Sequence, residues 1–129
     1  MHADPHTPDR TAATLEAIKR FDAAFNRHDV DAIMATMTDE CVFESTYPPP
    51  DGRRFEGQEA VRGAWEDLFR SSPDASFEIE ELFAVDDRCT ARWTYRYSGE
   101  DGTPHHIRGV DVFRVRDGKV AEKLSYVKG

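Results

Sequence analysis

The chain is poor in the features that mark several functional classes. It has only two cysteines, Cys41 and Cys89, far apart and without CxxC spacing. That excludes a disulfide scaffold, offers no nucleophile motif and suits a reduced, cytoplasmic setting. Basic charge is short: 17 Lys and Arg stand against 25 Asp and Glu, a net of −8. Nucleic acid needs a basic footprint, so it is excluded as a partner. No apolar run is long enough to cross a bilayer, which excludes a membrane span. The first residues, MHADPHTPDR, are polar and contain proline, so they read as a tail over 1–10 and not as a signal peptide. Internal repeats and low-complexity segments are absent. At 129 residues the remainder, 11–129, is one domain with room for a real core.

What is present follows two periodicities. Between 11 and 27, Leu15, Ile18, Phe21 and Phe25 recur at three- and four-residue spacing, which predicts an amphipathic helix. Asp29 is placed to cap a second, short helix carrying Val30, Ile33, Met34 and Met37. Residues 41–46 read as a strand with Phe43 and Ser45 on one face. YPPPDGRRFEG reads as a loop, either an exposed connector or a stiff lid. Gly57 opens a third helix with Val61, Ala64, Trp65, Leu68 and Phe69 as its stripe. Four strands follow, at about 76–85, 88–97, 105–115 and 119–127. The last two flank Asp117-Gly118, a strong hairpin signal. Helices followed by a meander define an α+β fold, with the helices on one face of the sheet. In 88–97 the aromatic face should meet the helices and the arginine face should point outward. Val110 and Val112 then lie on the outer face, which predicts a homodimer through that side.

One residue breaks the alternation. Ile107, Gly109, Asp111, Phe113 and Val115 share the inward face, and a lone carboxylate there is costly. Asp111 is either ionised beside a donor or cation, or neutral through desolvation. The second state is typical of acids that do chemistry, the first of structural pairs. Around it, Phe21, Phe43, Trp65, Trp93, Ile107 and Phe113 would line a mainly apolar pocket, although the same residues also serve as plain core. Tyr95 or Tyr47 could supply a proton beside Asp111. His105 shares the parity of Asp111 and could pair with it across a substrate, or simply be exposed at the strand's start. His105 and His106, as strand neighbours, point to opposite faces and cannot grip one metal ion, so no metal or cofactor is expected. Whether Lys123 reaches the cavity rim depends on its parity, which a bulge in the last strand would change.

The order "RHDVDAI", "CVFES", "FEGQEAVRGAW" and "VDVFRVRDGKVAEKLSYV" resembles the nuclear transport factor 2-like superfamily, in its SnoaL-like and ketosteroid-isomerase-like branch. The resemblance spans about 11–128. It implies a cystatin-like α+β roll: a cone-shaped, strongly curved antiparallel sheet, closed by three helices around an internal cavity and often dimeric. The branch includes isomerases, cyclases, hydrolases and dehydratases as well as non-catalytic members, so fold alone does not decide function. In ketosteroid isomerases an acid of the penultimate strand donates a hydrogen bond to an oxyanion. Asp111 stands at that place. The tyrosine place of the first helix falls on Phe21, the base on Ser45, and the last-strand acid of the cyclases on Ser125. The resemblance therefore implies a cofactor-free isomerase, cyclase, hydrolase or dehydratase acting on a small, mostly apolar molecule through Asp111, with a tyrosine such as Tyr95, His105 or a water assisting on the reading of the residues above. Ser45, Tyr47 and Ser125 join the pocket residues around the substrate. The alternative is a module of the same fold that binds a hydrophobic ligand, or only dimerises.

Overall fold

A computed structural model describes residues 8–129. Helix α1 runs Pro8–Asn26, α2 Val30–Ala35 and α3 Gln58–Ser71; the strands are β1 Met37–Glu44, β2 Arg54–Glu56, β3 Ser76–Val85, β4 Arg88–Ser98, β5 Pro104–Arg116 and β6 Lys119–Val127. Helix α1 starts before the expected boundary at 11, because proline is tolerated in a first turn whose N–H groups have no intrahelical acceptor. The expected tail therefore shrinks at its C-terminal end, and 1–7 lie outside the described residues.

The six strands form one strongly curved sheet in the order β2-β1-β6-β5-β4-β3. The meander of β3 to β6 is antiparallel throughout, as alternation predicts. Two expectations need correction. The sheet is not wholly antiparallel, since β1 pairs with β6 in parallel. The Pro-rich connector also contains an element: Arg54–Glu56 pairs with Val42–Glu44 as an edge strand. Three residues gain their order from that pairing, not from their own pattern. Met37, expected on the second helix, opens β1 because Thr36 caps that helix with its hydroxyl on the Ile33 carbonyl, 2.6 Å away.

The helices cover the concave face. Ile18, Phe21 and Phe25 of α1 and Val61 and Trp65 of α3 are buried against Cys89, Ala91 and Phe113. A fully buried Ile18 or Ile33 contributes about 1.5–3 kcal/mol each. Asp29 caps α2 as expected, accepting from the Ala32 N–H at 3.1 Å. Polar ties then fix where α1 lies. Asn26 takes both backbone groups of Phe77 on β3, at 2.9 and 3.1 Å. Thr14 donates to the Asp86 carbonyl in the β3–β4 turn at 2.5 Å.

Two local features shape the interior. An added Cβ at Gly109 would lie 2.3 Å from the Tyr126 carbonyl oxygen and 2.6 Å from the Trp93 ring, so glycine is what lets both approach β5. The β5–β6 hairpin turns at Asp117 and Gly118, both with positive φ, as an Asp-Gly turn requires. Its ladder then slips between Arg114 and Val115: Val115 faces Val120, but Arg114 faces Glu122. Ala121 is the extra residue of a β-bulge, which changes the inward parity of the rest of β6.

Candidate functional site

That bulge places the site's central group. Without it, the inward face set by Val120 would continue through Glu122 and Leu124. With it, Lys123 and Ser125 point inward. Lys123 lies opposite Phe113 on β5 and beside Phe43 on β1, and Ser125 lies opposite Asp111. The Lys123 Nζ donates to Ser125 Oγ at 2.7 Å and stands 3.3 Å from Asp111 Oδ2. Ser125 Oγ in turn donates to Asp111 Oδ1 at 2.6 Å. The ammonium also sits 4.7 Å from the Phe43 ring centroid and 5.6 Å from that of Trp65. Both charged side chains are almost wholly buried, 6% exposed for Lys123 and 7% for Asp111.

Asp111 therefore has within reach the partners that the first of its two predicted states needs, a cation and a hydroxyl. Lys123 is the group whose placement the sequence left open. Burial lowers its pKa from the ordinary 10.5, against the attraction of Asp111, which raises it. A third ionisable group, Asp22 on α1, lies in the same interior. Its carboxyl is pushed up to about 6, first by burial and second by the negative charge of Asp111.

Two spaces meet at this cluster. A small pocket of about 20 Å³, wide enough for one water, is bounded by Asp22, Asp111, Lys123 and the rings of Phe21, Trp93 and Phe113. A larger chamber of about 450 Å³ opens beyond it, lined by Phe43, Trp65, Trp93, Tyr95, Ile107 and Ser125 among others, and again by Lys123. Asp111 borders the small pocket but not the chamber. Lys123 borders both. The indole N–H groups of Trp65 and Trp93 are buried with no hydrogen-bond partner among the described residues. The Tyr95 phenol is raised by its burial, which a nearby Ser72 hydroxyl, too poorly placed for a full hydrogen bond, partly opposes.

The structure thus gathers most of the expected pocket but not the expected catalytic trio. Tyr95 reaches the chamber from β4, where it pairs with Ile107, whereas Asp111 pairs with Ala91. His105 is exposed and stacks on Tyr97 at 5.5 Å. It lies six residues from Asp111 along β5, about 20 Å at the strand rise, and borders a different surface hollow with Asp74 and Arg96. Ser45 lines the chamber, but its hydroxyl donates to the Tyr47 carbonyl and accepts from the Arg53 N–H, both at 3.0 Å, which holds the 45–53 loop. Tyr47 is 78% exposed at the chamber's edge. Sequence reasoning missed Asp22, although Ile18, Phe21 and Phe25 put it on the border of the same stripe. Cys41 and Cys89 are free and buried; burial raises both thiols, Cys89 to about 11, which makes them inert as thiolates. No group of three or more His, Cys, Asp or Glu among the described residues is placed to hold a metal ion.

A curved sheet wrapped by three helices around a chamber with a polar end defines an α+β roll of the nuclear transport factor 2-like kind. The SnoaL-like domain family matches residues 18–123, and the chain belongs to that family. Its structure is similar to that of a nuclear transport factor 2-like protein of unknown function from Mesorhizobium loti, at 40% identity and a TM-score of 0.80, over 96% of this chain and 98% of that one. More distantly it resembles Rv0760c of Mycobacterium tuberculosis in complex with estradiol-17β-hemisuccinate, at 22% identity and a TM-score of 0.75, over 88% and 92% of the two chains. It also resembles TerC co-crystallised with polyporic acid, at 18% identity and a TM-score of 0.78, over 90% and 92%. No curated protein matches the chain. Among the described residues, no helix is long and apolar enough to cross a membrane.

Proposed function

We propose that this chain is a cofactor-free acid–base enzyme acting on a small, mainly apolar molecule that carries a carbonyl or hydroxyl oxygen. One observation carries the reading: Lys123 and Ser125, backed by the buried Asp111, form the polar end of a 450 Å³ aromatic chamber. Most of the chamber wall binds by apolar contact, while a few polar groups orient the ligand. Lys123 meets the substrate oxygen and stabilises negative charge developing there, in surroundings where water does not screen it. Asp111 tunes and positions Lys123 from behind. Asp22, with its pKa pushed up to about 6, is suited to exchange protons within the small pocket. The estradiol-17β-hemisuccinate and polyporic acid held by two distant structural neighbours support an oxygen-bearing ring compound as the occupant.

A second reading is favoured by the position of Asp111. Because it does not border the chamber, the cluster could hold an oxygen-bearing ligand without turning it over. Deuterium incorporation at the α-carbon of benzylacetone in deuterium oxide separates the two. Both tryptophans line the chamber, so their fluorescence reports binding independently. The enzyme reading expects exchange that falls by about 10²-fold or more in Lys123→Met, the usual worth of a positioned acid or base. Binding without exchange supports the second reading, and no binding overturns both.

The proposal includes a homodimer through the outer sheet face, where Tyr126 is exposed beside partly buried Val110 and Val112. A monomer mass by light scattering contradicts that part. The cytoplasmic setting proposed from cysteine usage suits two free, buried thiols.

A further inference from the structure

We infer that Lys123 is an amine nucleophile that captures small apolar aldehydes or ketones from the large chamber as a Schiff base. This rests on the reading of the chamber as a site for small oxygen-bearing molecules, and it goes further by assigning a covalent role. The chain has four lysines; Lys19, Lys119 and Lys128 are exposed, and Lys123 alone is buried. Its Nζ ends against the chamber beside the adjoining rings of Phe43 and Trp65, within 5.6 Å of both centroids. A hydroxyl at 2.7 Å and a carboxylate at 3.3 Å supply the proton transfers that imine formation needs.

The step balances with these groups alone. The Lys123 ammonium gives one proton through Ser125 Oγ to Asp111 Oδ1, and the freed amine attacks the carbonyl carbon. A C–N bond forms, and the π pair moves to oxygen. That oxygen takes a proton from Ser125 Oγ, which is replenished from Asp111 Oδ1 at 2.6 Å. The nitrogen then returns a proton to Asp111, its lone pair expels the hydroxyl, and the same proton leaves with it as water. Net, one ammonium and one carbonyl give one iminium and one water, and Asp111 ends as it began. Burial favours the neutral amine over the ammonium, which is how a lysine becomes nucleophilic in an apolar pocket.

The test uses the full chain with hydrocinnamaldehyde and benzylacetone as probes, sodium cyanoborohydride as the trap, and peptide mass mapping as the readout. Hydrocinnamyl alcohol, which cannot form an imine, measures binding separately through tryptophan fluorescence. The inference expects reductive labelling at Lys123 about tenfold or more above that at Lys19, Lys119 and Lys128. Lys123→Arg removes the amine and should lose the dominant adduct, while Lys19→Arg, at an exposed position outside the site, should keep it. If the alcohol binds but no label, or only label shared evenly with the surface lysines, is found at Lys123, the covalent role is overturned and the chamber reading stands. If neither alcohol nor carbonyl compound binds, both fall.

Discussion

Two clusters on opposite faces of the sheet are built from nearly the same parts. Outside, Glu80 accepts from Arg92 at 3.0 Å, Arg108 at 3.1 Å and Thr94 at 3.1 Å. Inside, Asp111 is matched by Lys123 and Ser125. Each has one carboxylate, cationic help and one hydroxyl, yet the environments act in opposite directions. The outer cations are about half exposed, and the Arg108 hydrogen bond, more than any other contact, holds the Glu80 carboxyl below its ordinary range. There the carboxyl is held in its charged form. Inside, burial works against the charge of Lys123, and the neighbouring Asp22 is held toward its neutral form. A solvated cluster stabilises a sheet face only slightly, whereas a desolvated one keeps its protons movable.

The contrast can be broken at its strongest point first. Asp111→Ala strands Lys123 as a buried charge and should cost about 3–5 kcal/mol by urea unfolding, as for other broken buried pairs. Glu80→Ala should shift the urea midpoint only slightly, and less still at high salt. Comparable losses from the two substitutions would remove the distinction.

A smaller effect comes from Asp22. Its native pKa of about 6 lies above the ordinary 3.8, so the native state holds this proton more tightly than the unfolded chain. Stability from that proton is fully present below about pH 3.8 and is lost as pH rises to about 6. Asp22→Asn should flatten this part of the stability–pH curve, measured by denaturant midpoints across the interval. An unchanged slope would place the carboxyl in solvent.

The sequence shows the two clusters unequally. The outer arginine face is plain in the alternation of Arg88, Arg92 and Arg96 with buried Cys89, Ala91 and Trp93. The meander, the helices and the family resemblance were legible for the same reason, since each rests on local periodicity. Asp111 was legible because one charge among Ile107, Phe113 and Val115 violates a period of two. Lys123 was not. Its direction depends on one unpaired residue, Ala121, and a bulge is a property of two strands together. Residues 54–56 and the parallel β1–β6 pairing were hidden for a related reason: both depend on partners distant in the chain. The His105–Asp111 pairing failed because shared parity fixes a face but not a separation.

What sets the inner cluster apart is a lysine amine held out of water at the end of a chamber. The most direct measurement is the titration of the Lys123 Nζ by nitrogen-detected NMR, with Lys123→Arg as the assignment control. A buried amine should titrate below the ordinary 10.5, and fall further when Asp111→Asn removes the compensating charge. A value at or above 10.5, unmoved by that substitution, would mean a solvated surface amine and would contradict the central claim.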